Sequence, residues 1–492
     1  MYARPNNCRS NGSGRFLPLL VALPLLLSLW SCGGSTSLQF SSAPPRGTVS
    51  VSISDPPSCK VPAGNYRNVW ITIRSVQAHI SATADDSSTG WQELAPNLAN
   101  APVQIDLLAA SGGCTLAQLG SNVSLPAGDF QQIRLILLSN NPAAGSPAPA
   151  MNHCGNQGWN CAVLADNSVH QLNLSSQANT GLKIPPGQIV GGPIRVAANQ
   201  HVDINIDFNV CASIVVQGNG QFRLRPTLTA GQVSSQGSGI SGQVVDSATM
   251  QPLNGGTVQI ALEQADSTGT DRVIMQAATD ATGNFNFCPV PAGMYDIVAT
   301  GTDGAGVSYS ATVVLNVSNG TSLGKIPLLA QSGASTGPGT ITGSVTAQSG
   351  TAPMVMGANI DAGFSALQSV PLSGGGMRNV TIPLQGMSTP TAATASGGMC
   401  PMNTNCASYT LIVPAANASI GAFSMSGTTY SMPAAGDVLY IVEARATVPM
   451  SGGTATCMPS TKAQDKDSMD QPLKVTAGAS TTAKSIDFTG CS

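Results

Sequence analysis

Short segments in which apolar and polar side chains alternate recur along the chain. They constrain its fold more than any other feature. Thr48-Val49-Ser50-Val51-Ser52-Ile53, Val69-Trp70-Ile71-Thr72-Ile73 and Val202-Asp203-Ile204-Asn205-Ile206-Asp207-Phe208 each carry a period of two. That period turns one face of an extended strand toward a core and the other toward polar surroundings. Gln132-Ile133-Arg134-Leu135-Ile136-Leu137-Leu138 is more continuously apolar, as expected of a central strand, and Pro126-Ala127-Gly128-Asp129 is a turn that feeds it. Ala109 to Leu119 has room for a short helix. Turn formers are abundant, 54 Gly and 33 Pro in 492 residues, which suits many short strands joined by tight turns. At roughly 100–200 residues per domain, two to four domains are expected.

Charge narrows the function classes. Lys and Arg number 20 against 23 Asp and Glu, a net charge of −3, and charged residues make up only 9 % of the chain. So few cations, with no basic block, exclude a nucleic-acid binder. An apolar content of 42 % is ample for cores and excludes wholesale disorder. His occurs only at positions 79, 153, 170 and 201, which leaves little material for acid–base or metal chemistry.

The N-terminus reads as an address. Arg4, Arg9 and Arg15 precede an uncharged apolar run from Phe16 to Trp30, short for a bilayer span but right for a signal-peptide core. The run ends at Leu29-Trp30-Ser31-Cys32-Gly33, which resembles the lipobox of bacterial lipoproteins. That resemblance implies a signal peptide over 1–31 and a lipidated Cys32, and hence stable anchoring to a membrane. Residues 32–46 then form a tether.

Twelve cysteines are present. Cys8 lies in the segment to be removed and Cys32 is the lipid site. The other ten, an even number in an exported chain, suggest up to five disulfides. Cys154 and Cys161 enclose the short loop CGNQGWNC, and Cys400 and Cys406 enclose CPMNTNC. By elimination Cys457 pairs with Cys491, Cys59 with Cys114, and Cys211 with Cys288, although sequence alone does not fix connectivity. No CxxC pair exists, so a metal centre is not expected, even at His153-Cys154 with Cys161.

Three β regions follow. In the first, six short blocks occur in order: Gly90-Trp91-Gln92-Glu93-Leu94, Asp106-Leu107-Leu108, Leu125 to Leu135, Gly181-Leu182-Lys183-Ile184, Ile206-Asp207-Phe208 and Phe222-Arg223-Leu224-Arg225-Pro226. As a set they resemble the bacterial domain of unknown function 4382, found mostly in exported lipoproteins, over most of 47–230. The family has no established activity, so the resemblance carries over no catalytic residue. In 238–330, Ile240 to Asp246, Gln251 to Val258, Thr279 to Phe287 and Val290 to Val298 are spaced as strand, turn, strand, hairpin, strand. They are similar to carboxypeptidase-regulatory-like domains, which implies a small prealbumin-like sandwich acting as a spacer. Its polar stretch Glu263 to Arg272 reads as a hairpin loop. The third region, 339–492, opens on Gly339 to Val345 and contains a long strand after Gly436-Asp437. Val233 to Ser238 and Gln331 to Pro338 read as Gly/Ser linkers.

Chemistry signals are sparse. Two GxSxG matches, 320–324 and 333–337, lie in a turn and a linker, not at the strand-to-helix elbow such a nucleophile requires. The match to GxGxxG at 237–242 leads into a strand, which rejects dinucleotide binding. Asp465, Asp467 and Asp470 lack the glycine and terminal glutamate of a calcium loop. Asp203 and Asp207 read as solvated or hydrogen-bonded surface groups. Trp70 is expected in the core, whereas Trp159, inside the short Cys loop, is the candidate for stacking on a sugar. The expectation is therefore an all-β chain of tandem β-sandwich domains joined by Gly/Ser-rich linkers. It has no catalytic residues, no metal and no cofactor. It is anchored in the cell envelope, at the outer membrane or cell surface, as a structural, adhesive or interaction module, with carbohydrate binding as the alternative. Its partners would be the membrane and an envelope glycan or another surface protein.

Overall fold

The computed structural model describes residues 44–492 except 56–64, 110–116, 175–177, 179, 217–219, 225–226, 234–238, 254–256, 350–360, 373, 386–392, 395–404, 425–426, 451–452, 457–461, 465–470 and 492; at a few strand residues it describes the backbone alone. The first region is a sandwich of two sheets. Its strands include β1 (Arg46–Ser54), β2 (Tyr66–His79), β3 (Val103–Asp106), β4 (Ala117–Pro126), β5 (Gln132–Leu137), β6 (Cys161–Leu164), β7 (Val169–Asn173), β8 (Leu182–Ile184), β9 (His201–Phe208) and β10 (Leu228–Val233). One sheet runs Ile189–Val190, β10, β9, β1, β4, with β1 parallel to β9 and Val49 opposite Val202. The other runs β8, β5, β2, β6, β7 and onward through Phe222–Leu224, with β3 also paired to β2. Val49, Val51 and Ile53 meet Ile204, Ile206 and Phe208 in one core with Val69, Ile71 and Ile73. The alternation in the sequence is thus the inward face of both sheets. Every residue of β5 is buried, which is why that stretch does not alternate. Leu119 belongs to β4, so no helix forms at that end of 109–119, and 110–116 lie outside the described residues. Among the described residues one α-helical turn stands elsewhere, at Val210–Ser213, with short 3-10 turns at Pro96–Ala99, Gly155–Gln157 and Pro186–Gln188.

The second region contains β11 (Ile240–Asp246), β12 (Thr257–Ala265), β13 (Asp271–Ala278), β14 (Asn284–Phe287), β15 (Met294–Thr302), β16 (Ser308–Ser318) and β17 (Ser322–Leu328). A small sheet β14-β11-β17 packs Phe285, Phe287 and Ile326 against Ile260, Leu262 and Ile297 of the larger sheet. Asp280 caps the turn into β14, accepting from the amides of Thr282 and Asn284 (2.9 Å each). Gly283 is left-handed (φ +78°), and a Cβ there would stand 2.5 Å from the Val244 carbonyl oxygen, so the turn requires glycine.

The third region adds β18 (Gly339–Ser349), β19 (Asp361–Pro371), β20 (Met377–Ile382), β21 (Asn405–Val413), β22 (Ser419–Ala422), β23 (Thr429–Tyr430), β24 (Val438–Met450) and β25 (Ile486–Cys491). Its two sheets centre on β21-β18 and on β20-β19-β24. The chain is all-β, as the alternation implies, but its last two regions are not beads on a string. β22 adds to the second region's sheet alongside β16, with Thr312 opposite Ser419 and Leu315 opposite Ala422, giving the order β13-β12-β15-β16-β22-β23. The far face of that sheet contributes Val298, Ala311, Val313 and Leu315 to the core of the third region. The Gly/Ser segment 331–338 is pinned as well: Gln331 donates to the Ser308 carbonyl (2.8 Å) and Ser308 donates to the Thr336 carbonyl (2.7 Å). The second and third regions therefore share one sheet and the core beneath it.

Candidate functional site

The most organised exposed feature is the loop that follows β5. Cys154 and Cys161 are joined by a disulfide. Asn140 accepts from the amides of Trp159 (3.0 Å) and Asn160 (2.9 Å). Asn160 is fully buried. Its Oδ1 accepts from the Thr72 amide (2.9 Å), and its Nδ2 donates to the Leu138 carbonyl (2.8 Å). The Trp159 carbonyl accepts from Thr72 Oγ1 (2.7 Å) and Gln104 Nε2 (3.0 Å). Gly158 is left-handed (φ +88°) and a Cβ there would lie 2.7 Å from the Asn140 side chain. The loop is therefore fastened by Thr72 of β2, Gln104 of β3, and Leu138 and Asn140 just after β5.

This bracing builds a small aromatic platform. Trp70 lies opposite Cys161 in register, on the same outward face of β2 as Thr72. It is half-buried rather than in the core, and the exposed His153 ring stacks on it at 3.9 Å, 7° from parallel. His153 is held by its amide, which donates to Gln104 Oε1 (2.8 Å). Trp159 is half-buried, and the exposed Asn152 closes the loop by donating to the Gly155 and Gly158 carbonyls (3.1 and 3.0 Å). Because Cys154 and Cys161 are oxidised to each other, no thiolate is left there to join His153 as a metal ligand. Asp106, nearby, is committed to structure, accepting from Asn68 Nδ2 (2.7 Å) and the Val69 amide (3.0 Å).

Other sequence candidates fall variously. Cys288 and Cys406 are disulfide-bonded to cysteines whose side chains the structure does not describe. Cys32, Cys59, Cys114, Cys400 and Cys457, and the acidic run 465–470, lie outside the described residues; Cys211 and Cys491 are described in backbone only. Among the described residues no group of three or more His, Cys, Asp or Glu is arranged to hold a metal ion.

Two sets of carboxyls, missed from sequence, are buried. Asp203 stays near the surface beside His201 (3.0 Å), but Asp207 is covered, accepting from Ser54 Oγ (3.2 Å). Period-two reading correctly placed both on the polar face of β9 and could not tell that part of this face is closed over. Burial pushes the Asp207 carboxyl up to about 7. Burial, and then the neighbouring Asp207, push Asp55 well above the usual carboxylate range. A folded value above the unfolded one near 4 means stability falls as pH rises from about 4 to 7. Asp207→Asn should flatten that decline, raising stability at about pH 8 by of order 1–3 kcal/mol and changing it little at about pH 4. Thermal melts across pH check this; an unchanged slope would count against it. The second set lies between the second and third regions.

Residues likened above to a known family match, over 46–226, a family model described as a domain of unknown function, DUF4382. No curated protein matches the chain. Among solved structures, the Bacillus anthracis TIE protein aligns at 10 % identity over 91 % of this chain and 51 % of its own, with a TM-score of 0.15. The chain thus spans about half the length of that protein. The shaft pilin SpaA from Lactobacillus rhamnosus GG aligns at 10 % identity over 59 % of this chain and 99 % of its own, TM-score 0.17. A candidate adhesin from Bacteroides ovatus aligns at 11 % identity over 49 % and 88 %, TM-score 0.16. Likenesses at these TM-scores place no residue and assign no role. The region that carries the braced loop and its aromatic platform, residues 46–226, is the part of the chain that matches DUF4382.

Proposed function

We propose that the chain is a non-enzymatic, lipid-anchored module of the bacterial cell envelope, held through Cys32 at the outer membrane or cell surface, that presents its first region to a partner. The observation that carries this reading is the braced loop 154–161, an exposed surface whose anchoring groups are all satisfied beneath it. Asp55, Asp207, Glu263, Asp271 and Asp296, the carboxyls most closely grouped, are buried within the fold. The lipobox-like Leu29-Trp30-Ser31-Cys32-Gly33 and the Cys154–Cys161 bond both suit an exported chain. Residues 238–330, read as a carboxypeptidase-regulatory-like sandwich, serve as a brace for the third region. One observation favours carbohydrate as the partner: the exposed His153 ring, backed by Trp70 and carried near the half-buried Trp159, offers an aromatic face of the kind on which a sugar ring stacks.

The test has two arms. Cys32→Ala should release the protein from membranes or leave it as an uncleaved precursor; unchanged fractionation and mobility would refute the anchor. Purified protein should retain envelope material in a glycan array and pull-down, with retention weakened at least tenfold in Trp70→Ala, which corresponds to about 1.4 kcal/mol. Retained glycan supports the sugar reading and a retained protein the adhesive one, whereas undiminished retention by Trp70→Ala would mean the platform is not the site.

A further inference from the structure

Where the shared sheet meets the third region, five carboxylates gather around two guanidiniums. Glu263 on β12 and Asp296 on β15 are register partners. Asp271 and Arg272 open β13, and Asp266 stands in the preceding turn. The third region supplies Arg378 from β20 and Glu443 from β24. Arg272 is engaged by Asp266 (2.9 Å) and by Glu443. Arg378 meets Asp296, with Asp271 Oδ1 3.9 Å from the same nitrogen. Asp296 Oδ1 also accepts from the Asn316 amide (2.7 Å). Thr381 of β20 completes the seam: its amide donates to Glu263 Oε2 (3.0 Å) and its hydroxyl to the Asp271 carbonyl (2.8 Å).

The cations do not cover the acids. Glu263 and Asp271 are fully buried, yet Glu263 Oε1 and both carboxyl oxygens of Asp271 have no hydrogen-bond donor. An ionised carboxylate in that position is strongly disfavoured unless a proton or a cation joins it. Arg378 already sits against Asp296 and Asp271, and no metal-holding group is formed there. The remaining partner is a proton.

We propose that the seam between the second and third regions is a proton-locked joint, in which Glu263 and Asp271 are protonated in the closed form and their ionisation loosens the contact with β20. Burial first, then the neighbouring Asp296 carboxyl, push Asp271 up to about 8. Burial, and then Asp271, push Glu263 well above its ordinary range, while the Thr381 amide and Arg272 pull the other way. The sign follows from these directions. With closed-state values above the open-state value near 4, the lock is complete below about pH 4 and weakens as pH rises; Asp271's share is gone above about pH 8. Within that window each bound proton lets the open-to-closed ratio grow about tenfold per pH unit. The proposal does not rest on the anchoring or glycan reading.

Hydrogen exchange on the full-length protein between about pH 5 and pH 9, corrected for intrinsic rates, reads the joint directly at the Thr381 amide and along β20. Protection there should fall with pH in the wild type, toward tenfold per unit for each proton. It should lose much of that slope in Asp271→Asn and in Glu263→Gln, each of which keeps the shape of the protonated group. A wild-type profile flat between about pH 5 and 8 would overturn the proposal, and so would a folded variant with the wild-type slope. Calcium chloride against EDTA at about pH 9 forms the last arm. Unchanged protection supports the proton lock, and recovery of protection with calcium in the wild type but not the variants would replace it with a metal site.

Discussion

A chain ending at Ala330 is expected to leave residues 238–330 unable to hold their native form. Val298, Val313 and Leu315 are buried against the third region, and a truncated chain would return them to water. At about 1.5–3 kcal/mol for each such side chain, the loss is roughly 5–9 kcal/mol, comparable with the 5–15 kcal/mol that stabilises a whole domain. The exposed strip is apolar and continuous with β16, which would also lose its neighbour β22 and become a free sheet edge. Limited proteolysis of the truncated and full-length chains measures this. The truncated form should be cut rapidly within 238–330, while 44–230, which has its own core, survives. Equal resistance of 238–330 in both would show that the second region stands alone after all. Val313→Asp in the full chain places a carboxylate in the same contact and should produce a milder version of the same result.

Asn160→Ala is expected to be the most damaging single change around the braced loop. The side chain is fully buried and joins Thr72 of β2, Leu138 after β5 and Asn140. Alanine would strand the Thr72 amide and the Leu138 carbonyl away from water at about 1–3 kcal/mol each, a total of roughly 2–6 kcal/mol. Because Thr72 and Gln104 hold the loop through the adjacent Trp159 carbonyl, the His153–Trp70 stack should loosen too. Denaturant unfolding gives the first quantity and the tryptophan fluorescence of the folded protein reports the second. A loss under about 1 kcal/mol with unaltered fluorescence would show that the disulfide alone fixes the loop.

The inward faces of β1, β2 and β9 were readable residue by residue, because a strand's two faces are set by position along the chain. The turn chemistry of Asp280 and Gly283 was readable for the same local reason. Chain position does not say what lies over the outward face. Glu263 occupies an outward position after Val258, Ile260 and Leu262 and, with Asp271, lies in the stretch whose sequence reads as a hairpin loop; both are strand residues sealed by β20. Asp207 met the same fate on β9, while Trp70, one residue from core positions Val69 and Ile71, was left at the surface under His153. The sequence by itself determined the strands, their turns and the cysteine-enclosed loop, all of which depend on neighbours within a few residues. Only the tertiary structure decided that β22 joins β16 across about 100 residues of chain, that two regions share a core, and that carboxyls from β12, β13 and β15 are closed together. Those outcomes depend on which surfaces meet in space, and alternating patterns on separate strands carry no record of their partners.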